Sequence, residues 1–296
     1  MTKIAKPQTK TDLAKKLGVS RSSLYYKHKR PALDEEVKRQ IEAVLVNHPA
    51  YGHKRIALEL KLNKKRILRV MKKFGIKPYR RRVHPVKKDD LGKPPSHHQN
   101  LINEFCPIVP DVVWVADFTY IRFHEYFIYV ATYMDLYSRE IVGWYISRYH
   151  TSSLVLGAWE HALTNPNHHT PIYSHTDQGS EYDSQIYEAT LTKAGTIISM
   201  SHKGSPWENG FQESFYNNFK LDLGDPNRFE DLGEFIEAIN QTIVEYNERR
   251  IHTTLKMSPA EFRRLRDKQL STQVKDKSSS EKGTWQPSSE TGYYRP

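Results

Sequence analysis

The period of the hydrophobic pattern changes part-way along the chain. Between about residues 9 and 75, apolar residues recur at helical spacing, whereas from about residue 111 they form short runs rich in Val, Ile, Tyr and Trp. The first pattern predicts amphipathic helices and the second predicts strands. Small all-α modules are therefore expected to precede an α/β core.

The α/β core is predicted to hold a mixed five-stranded sheet covered by helices, because three consecutive strands are followed by alternating helices and strands. A helix carrying Glu213 is expected to start at residues 205–206, with Glu208 completing a capping box. The last long helix begins with a second capping box, Asp231 and Glu234. The predicted strands cover residues 112–121, 126–132, 141–146, 172–175 and 196–200, and the helices between them cover about residues 153–164 and 183–194.

The first helical module has the pattern of a helix-turn-helix. A short helix over residues 12–17 is followed by a turn at Gly18 and by a second helix that Ser20 caps. Ala14 is small where two crossing helices must touch, as this motif requires. The residues predicted to close its small core are Leu13, Leu17, Val19 and Leu24, and those predicted to contact DNA are Arg21, Ser22 and Tyr25.

A second helical module is predicted over residues 31–82. Asp34 is expected to cap its first helix, residues 51–56 to form a short second helix, and Asn63 to cap a third. The third helix has an apolar stripe opposite a face of six cations, which favours DNA binding; an ordinary amphipathic helix with a solvated face is the alternative. The stripe consists of Ile67, Val70, Met71 and Phe74, and the predicted DNA contacts are Lys64, Lys65, Arg66 and Arg69.

Charge divides the chain in the same way as the hydrophobic pattern. Residues 1–100 hold 27 Lys/Arg and 8 Asp/Glu, a net of +19, and residues 101–296 hold 18 and 26, a net of −8, which together give the total of +11. A basic front is typical of a region that binds phosphates, and an acidic back collects carboxylates. A solvated basic tail is the alternative interpretation of the front.

Five regions are predicted from these boundaries. A segment rich in Pro and basic residues separates the helical modules from the core and is expected to be extended. The last residues contain almost no aliphatic side chains, which predicts disorder. The regions are a helix-turn-helix module at 1–30, a second helical DNA-binding module at 31–82, a basic linker at 83–110, the catalytic core at 111–268 and a disordered tail at 269–296.

Composition excludes several classes of protein. The mean hydropathy is −0.72, and the sequence has no apolar run long enough to predict a membrane span. The first residues are not followed by the apolar core of an export signal. A single cysteine, Cys106, can form no internal disulfide and is too few for a cysteine-based zinc site. A cytoplasmic, nucleoid-associated protein is expected.

Three carboxylates form the candidate metal site. Asp117 lies within an apolar strand, where an unpaired charge is costly, and Asp177 follows the strand at 172–175. Glu213 lies in a helix. Such oxygen ligands favour Mg²⁺ or Mn²⁺, and two ions can activate the attacking oxygen and stabilise the leaving oxygen of a phosphodiester. When each residue is considered alone, an alternative interpretation remains: Asp117 as a salt-bridged core residue, and Asp177 as a turn-forming residue.

Longer motifs surround these carboxylates. The segments Trp114–Tyr120, His175–Tyr182 and Glu208–Lys220 resemble the core of bacterial insertion-sequence transposases of the IS-three family, which are relatives of retroviral integrases. Residues 246–262 resemble the closing motif of that family. Tyr51–Arg55 resembles its second DNA-binding unit. The resemblance covers most of the chain.

The resemblance implies a ribonuclease-H-like fold and strand transfer through a DNA 3′-hydroxyl, with Asp117, Asp177 and Glu213 as catalytic and metal-binding residues. Lys220 lies on the same helix face as Glu213 and is implied to contact the transposon end. The implied partner is double-stranded DNA, as terminal inverted repeats and as target. A homo-oligomer on DNA and an upstream-frame helix-turn-helix protein are further partners that the family implies. Glu208 and Gly210 depart from the Asp and Ala that the family usually has.

Two other functions are compared with that of a transposase. A domesticated DNA-binding regulator is expected to lose a carboxylate, and all three are present. A ribonuclease H acting on hybrids would not need two DNA-binding modules. Nearby, His175 is expected to support the Asp177 turn rather than to bind metal. Trp207 and Tyr216 are open to base stacking or core packing, and His252 to a place near the site or at the cap of the last helix.

Overall fold

The computed structural model describes residues 9–25, 30–80, 98–103, 105–202 and 205–280. The chain divides into two compact units, residues 1–78 and 79–296. None of the helices in the described ranges is long and apolar enough to cross a lipid bilayer. The side chains of Tyr25, a predicted DNA contact, and of Trp207, a candidate for base stacking, lie outside the described part. Residues 281–296 of the predicted tail lie outside it as well.

The first unit is helical, as the sequence predicts. Its described elements are α1 (Lys10–Lys16), a 3₁₀ helix (Arg21–Tyr25), α2 (Arg30–Asn47), α3 (His53–Glu59) and α4 (Lys64–Lys73).

The predicted core of the first helical module is wrong. Leu13, Leu17 and Val19 are 40%, 58% and 44% exposed, and Ala14 is buried. Ser20 does cap the second segment, because its Oγ accepts the Ser23 N–H at 3.2 Å, but that segment is a 3₁₀ helix. A seven-residue helix and one short turn have too little surface to enclose three apolar side chains.

The second helical module has a core between α2, α3 and α4. Ile41, Ile56 and Ile67 are completely buried. Asn63 caps α4 as predicted, since its Oδ1 accepts the Lys65 N–H at 2.8 Å. The predicted cap at Asp34 is wrong, because α2 begins four residues earlier, at Arg30.

The second unit contains all five predicted strands, and each strand end lies within three residues of the prediction. Its elements are β1 (Val113–Phe123), β2 (Tyr126–Asp135), β3 (Ile141–Ser147), α5 (Ser152–Thr164), β4 (Tyr173–Thr176), α6 (Gln185–Lys193), β5 (Ile197–Met200), α7 (Gly210–Leu223), α8 (Leu232–Glu248) and α9 (Pro259–Ser280).

These strands form one mixed sheet in the order β3-β2-β1-β4-β5. The first three strands are antiparallel, and β4 and β5 run parallel to β1. The expected ribonuclease-H-like arrangement is therefore confirmed. β4 pairs only with Val113–Val115, so most of the eleven-residue β1 extends beyond it.

Helices cover both faces of the sheet. α7 and α8 pack on the face that holds Val115 and Phe123, and α5 and α6 pack on the face that holds Trp114. The contact of α5 with β3 is close: a Cβ on Gly143 would lie 2.4 Å from the Ala158 carbonyl oxygen, so only glycine fits there.

Part of each outer edge of the sheet is covered by another segment of the chain. Residues 98–102 run beside β5, where the Gln99 carbonyl accepts the Met200 N–H at 3.1 Å. At the β3 edge, the Asn247 amide accepts from Ile141 N–H and donates to Ile141 O, both at 2.9 Å. Part of the predicted linker at 83–110 therefore belongs to the core, because a strand edge offers it backbone hydrogen bonds.

The last helix corrects the predicted tail. α9 continues to Ser280, whereas disorder was predicted from residue 269. The segment has few aliphatic residues, but residues 260–280 also lack Gly and Pro. Its helix propensity and the anchoring of its first turns account for the helix.

At the start of α8, Asp231 caps as predicted, but the Glu234 carboxylate accepts from Glu230 N–H, so the capping box is incomplete.

Candidate active site

Asp117 and Asp177 lie side by side at the same end of the sheet. In the parallel pair of β1 and β4, Val115 is opposite His175. Two residues further along each segment are Asp117 and Asp177, the second of which directly follows the end of β4. Because neighbouring strands are about 4.8 Å apart, the two aspartates start from adjacent backbone positions.

The charges of both aspartates affect the pKa of two buried tyrosines. Burial raises the pKa of Tyr182 well above its ordinary value, and the negative charges of Asp117 and Asp177 raise it further. The pKa of Tyr216 is raised in the same way, by burial and then by the same two aspartates. Since both charges act on both hydroxyl groups, Asp117 and Asp177 share one local environment.

Each aspartate is oriented by a local hydrogen bond. Asp117 Oδ1 accepts the Phe118 N–H at 2.8 Å, and Asp177 Oδ1 accepts the Gly179 N–H at 3.0 Å. The second bond forms the turn that the sequence allowed for Asp177. Both side chains are only partly buried, so solvent and ions can reach them.

Helix α7 is attached to β1 beside Asp117. The Gln212 amide donates to Val115 O at 2.7 Å, and the Tyr216 hydroxyl donates to Asp117 O at 2.5 Å. Glu213 follows Gln212 and lies one turn before Tyr216, so it emerges from α7 next to this attachment. Its side chain is exposed.

The roles of Gln212 and Tyr216 are not predicted by the sequence. Both are buried, and Thr132 on β2 connects them, at 3.1 Å from the Gln212 amide oxygen and 2.9 Å from the Tyr216 hydroxyl. Tyr216 therefore packs in the core rather than presenting its ring for base stacking. The available signal was a pair of polar residues on the apolar face of α7.

The site offers oxygen ligands, but the three carboxylates are not assembled around one point. Among the described residues, no group of three or more His, Cys, Asp or Glu side chains is arranged to hold a metal ion. Two carboxylates are adjacent, and the third extends from the neighbouring helix. The amide oxygen of Asn209 is buried there without a partner in the described structure, while its Nδ2 donates to Ala116 O at 3.4 Å. The donor set fits a hard divalent cation in its chemistry.

The predicted capping box at Glu208 is wrong. A short 3₁₀ helix (Pro206–Asn209) precedes α7, and the Glu208 carboxylate accepts from His202 N–H and from the Asn100 amide, both at 2.7 Å. Glu208 thus fixes the segment before α7 to residues 98–102. A Cβ added to Gly210 would have no atom within 4 Å of it. The alanine that the family usually has would therefore also fit at this position.

His175 is a buried structural residue. Its Nδ1 is 2.9 Å from Ser199 Oγ, which joins β4 to β5. Burial lowers the pKa of His175 to about 4, so the imidazole is neutral at physiological pH. The His252 N–H donates to the Met257 carbonyl, which closes the loop before α9. Cys106 is exposed.

Lys220 lies two turns after Glu213 on α7 and is partly buried. Its Nζ is 5.4 Å from the ring centroid of Tyr120, on the part of β1 that extends beyond β4.

The candidate DNA contacts of the first unit differ in their surroundings. Lys64 and Lys65 are exposed on α4, as are Arg21 and Ser22 on the 3₁₀ helix, whereas Arg66 is partly buried. Arg69 differs from all of them. Its guanidinium binds both oxygens of Asp34, at 2.5 and 2.8 Å, and Lys73 binds the same carboxylate at 3.0 Å. Arg69 therefore connects α4 to α2 in addition to any outward role.

Comparisons with known proteins agree with this architecture. Two models described as integrase core domain match residues 109–206 and 194–259. The transposase for insertion sequence element IS904 of Lactococcus lactis subsp. lactis is 34% identical over 253 residues, covering 79% of this chain and 98% of the relative.

This chain belongs to the insertion-sequence transposases of the IS-three family. The transposase InsF for insertion sequence IS3A of Escherichia coli K12 is 32% identical over 179 residues, covering 58% of this chain and 62% of the relative. A solved structure of the HTLV-2 integrase catalytic core domain, in complex with magnesium, is 18% identical with a TM-score of 0.40, covering 53% of this chain and 98% of that one.

Proposed function

We propose that this transposase cuts DNA at the ends of its own element and joins the resulting 3′-hydroxyl to a target phosphodiester, using Asp117, Asp177 and Glu213. The observation that carries the proposal is that Asp117 lies on β1 and Asp177 directly follows the adjacent parallel strand β4, beside the helix that bears Glu213. Membership in the transposase family favours this reaction over a domesticated regulator, which would not need all three carboxylates.

The proposed cofactor is Mg²⁺ or Mn²⁺, with two ions per site. Carboxylate and amide oxygens are the ligands that these hard cations prefer. When bound, the ions would supply Lewis-acid activation of the attacking oxygen and stabilisation of the leaving oxygen. Asp117, Asp177 and Glu213 would hold them.

The protein's own part is to fix the two aspartates and to leave the glutamate adjustable. Asp117 is held by its pairing with β2, Asp177 directly follows β4, and the carboxylate of each accepts a backbone N–H. Glu213 is exposed on α7, but Gln212 and Tyr216 attach that part of the helix to β1. A rotation of the Glu213 side chain alone would therefore change the ligand set, without movement of the helix.

The proposed partners are terminal inverted repeats and target DNA. Arg21, Ser22, Tyr25, Lys64, Lys65, Arg66 and Arg69 are proposed to contact the repeats, and Lys220 to contact the element end near the site. A homo-oligomer on DNA brings two ends together. An upstream-frame helix-turn-helix protein is a further proposed partner.

The test is loss of a ligand charge without loss of bulk. Asp117→Asn, Asp177→Asn and Glu213→Gln should each abolish cleavage and joining of an element-end duplex in Mg²⁺, with a fall of at least about a thousandfold, as removal of key electrostatic groups causes. Binding of the same duplex, measured by gel shift, should stay within about threefold. Because all three are surface-accessible, folding should be unchanged.

Glu237→Gln is the matched control, since Glu237 is an exposed glutamate on the neighbouring helix α8. It should cleave at the wild-type rate. Normal strand transfer by any of the three site variants would remove that residue from the proposed site.

A further inference from the structure

Part of one sheet face lies beyond the end of β4, close to Asp117 in the chain. On the side that faces α5 and α6, the residues after Ala116 on β1 lie beyond the end of β4. Alternation along a strand puts Phe118, Tyr120 and Arg122 on this side. Their partners on β2 are Ala131, Tyr129 and Phe127, in that order.

The aromatic rings on this part of the face lie next to one another, with Phe118 and Tyr129 partly buried against the core, and are here named the aromatic platform (Phe118, Tyr120, Phe127 and Tyr129). The ring of Tyr120 lies 5.4 Å from Phe127 and 6.4 Å from Tyr129, and Tyr129 lies 6.5 Å from Phe118. Tyr120 remains 49% exposed and Phe127 45% exposed. Burying such rings with a ligand is favourable, because each carries a large apolar area.

Two cationic side chains lie beside the platform. Lys220 Nζ is 5.4 Å from the centre of the Tyr120 ring, and the exposed Arg122 lies directly across from Phe127. At the other end, His150 lies 6.4 Å from Phe118 with its ring nearly parallel. His150 Nδ1 is 2.9 Å from a carboxylate oxygen of Glu181.

Flat rings flanked by cations fit one ligand chemistry well. Nucleobases stack on aromatic rings while Lys and Arg bind the adjacent phosphates, and open sheet faces bind single strands in this way. Paired bases in a duplex are already stacked on each other, so only unpaired bases can use such a surface. Protein interfaces, by contrast, are depleted of Lys.

We propose that the aromatic platform stacks unpaired bases of the DNA strand next to the scissile phosphate. By the same alternation Asp117 points to the face of α7, and Lys220 of α7 reaches the Tyr120 ring past the edge of β1 beyond the end of β4. A strand that leaves the platform around this edge therefore enters the site. This placement rests on the proposed function, because it takes Asp117 as part of the cleavage site. Stacking would hold the strand end open after local melting of the duplex.

The experiment measures stacking directly, with a single-stranded oligonucleotide that contains 2-aminopurine, at elevated salt so that phosphate contacts are weak. Full-length Tyr120→Leu/Phe127→Leu should lose the fluorescence quenching and bind about tenfold or more weakly than wild type. Tyr120→Phe/Phe127→Tyr keeps both rings and should bind within about twofold. Agreement of circular dichroism melting between the two variants excludes unfolding as the cause.

Phe105→Leu is the matched control, because Phe105 is 44% exposed in the same unit and contacts Tyr173 instead of the platform. It should quench as wild type does. Unchanged quenching in the double leucine variant would overturn the proposal. A change in oligomeric mass of that variant, with quenching intact, would also overturn it by making the face an interface between copies.

The two proposals fail in different ways. Loss of cleavage in Asp117→Asn with normal quenching in the double leucine variant would overturn the platform alone. Normal cleavage by Asp117→Asn would overturn the proposed function and, with it, the placement of the platform beside the scissile phosphate.

Discussion

Asp117 and Asp177 can be found from sequence because each interrupts or ends an apolar strand. A carboxylate is costly to bury there, so its presence indicates a specific role. Their adjacency cannot be found in that way, since it depends on β1 pairing with β4 across about sixty residues of chain. The same limit applies to Asp34. A local rule reads it as a helix cap, but its partners are Arg69 and Lys73, more than thirty residues away.

Lys220 carries a prediction at this scale. Lys220→Ala removes a cation near the proposed site and leaves all three carboxylates in place. Cleavage at the element end should fall about tenfold and become less accurate in position, because one DNA contact is lost. The salt slope of DNA binding, measured by titration at several salt concentrations, should fall by about one unit.

Lys193→Ala provides the comparison, since Lys193 is an exposed lysine at the end of α6. It should change neither the cleavage rate nor the salt slope. If Lys220→Ala behaves like Lys193→Ala in all three measurements, Lys220 is a solvated helix residue with no part in the site.

Among the elements, α7 depends on contacts at both ends. Gln212 and Tyr216 attach its first half to β1. Near its end, the Arg250 guanidinium binds Asn218 Oδ1 at 2.8 Å and also pairs with Asp222. Arg250 and Asn247 belong to the closing motif, so this motif positions α7 and the β3 edge rather than contributing to the carboxylate site.

Asn247 should therefore matter for stability. Asn247→Leu leaves the N–H and C=O of Ile141 without their partners, and each unsatisfied buried group costs about 1–3 kcal/mol, so we expect a loss of about 2 kcal/mol or more. All five tryptophans lie after residue 113, so tryptophan fluorescence during urea unfolding reports the second unit alone. Gln241→Leu, an exposed change on the same helix, should cost less than about 0.5 kcal/mol. Equal stability of the two variants would contradict the anchoring role.

The start of α9 is attached to the sheet by a buried ion pair. Arg263 donates to both oxygens of Asp111, at 2.6 and 3.1 Å, and both side chains are nearly inaccessible. Burial alone would raise the pKa of Asp111, but hydrogen bonds from His168 and Arg263 lower it well below its ordinary value. The pair contributes stability only while Asp111 is ionised.

Asp111→Asn should destabilise the second unit by about 3 kcal/mol, because the buried Arg263 loses its hydrogen-bonded counter-charge and keeps only the carboxylates of Glu140 and Asp267, at 3.9 and 3.6 Å. Glu248→Gln breaks the exposed pair with Arg264 and should cost less than about 1 kcal/mol. Since folding lowers the pKa of Asp111, the wild-type contribution is present above pH 3.8 and is lost as the pH falls below that value. Unfolding free energies of the two variants within 1 kcal/mol of each other would refute the ion pair's role.

Strand and helix positions are the part of the fold that the sequence predicts best. Each strand consists of an apolar run bounded by turn residues, and that signal is local. The predictions for the residues of α9 and for residues 98–102 were wrong, because both segments contact partners distant in the chain. These partners are Asp111 and the β5 edge. The attachment of α7 by Gln212 was missed for the same reason.

At the scale of the whole molecule, charge and fold divide in the same region of the chain. Residues 1–100 carry a net charge of +19 and residues 101–296 a net of −8, and the first compact unit ends at residue 78 of the chain. A fragment of residues 1–80 should bind DNA with an affinity that falls steeply with salt, and a fragment of residues 98–280 should bind weakly. Fluorescence anisotropy with a labelled element-end duplex measures both.

The second fragment must begin at residue 98, because Gln99 and Asn100 are hydrogen-bonded within the core. Tight, end-specific binding by this fragment alone would mean that the division of labour is wrong.

The covered edges of the sheet limit how copies of this protein can associate. A bare outer strand can pair with the same strand of another copy, and high local concentration on DNA would promote such polymerisation. Here the Gln99 carbonyl occupies part of one edge and the Asn247 amide part of the other. Copies gathered on one DNA molecule therefore cannot join their sheets through the backbone groups of Met200 or Ile141, which are already bonded within each chain.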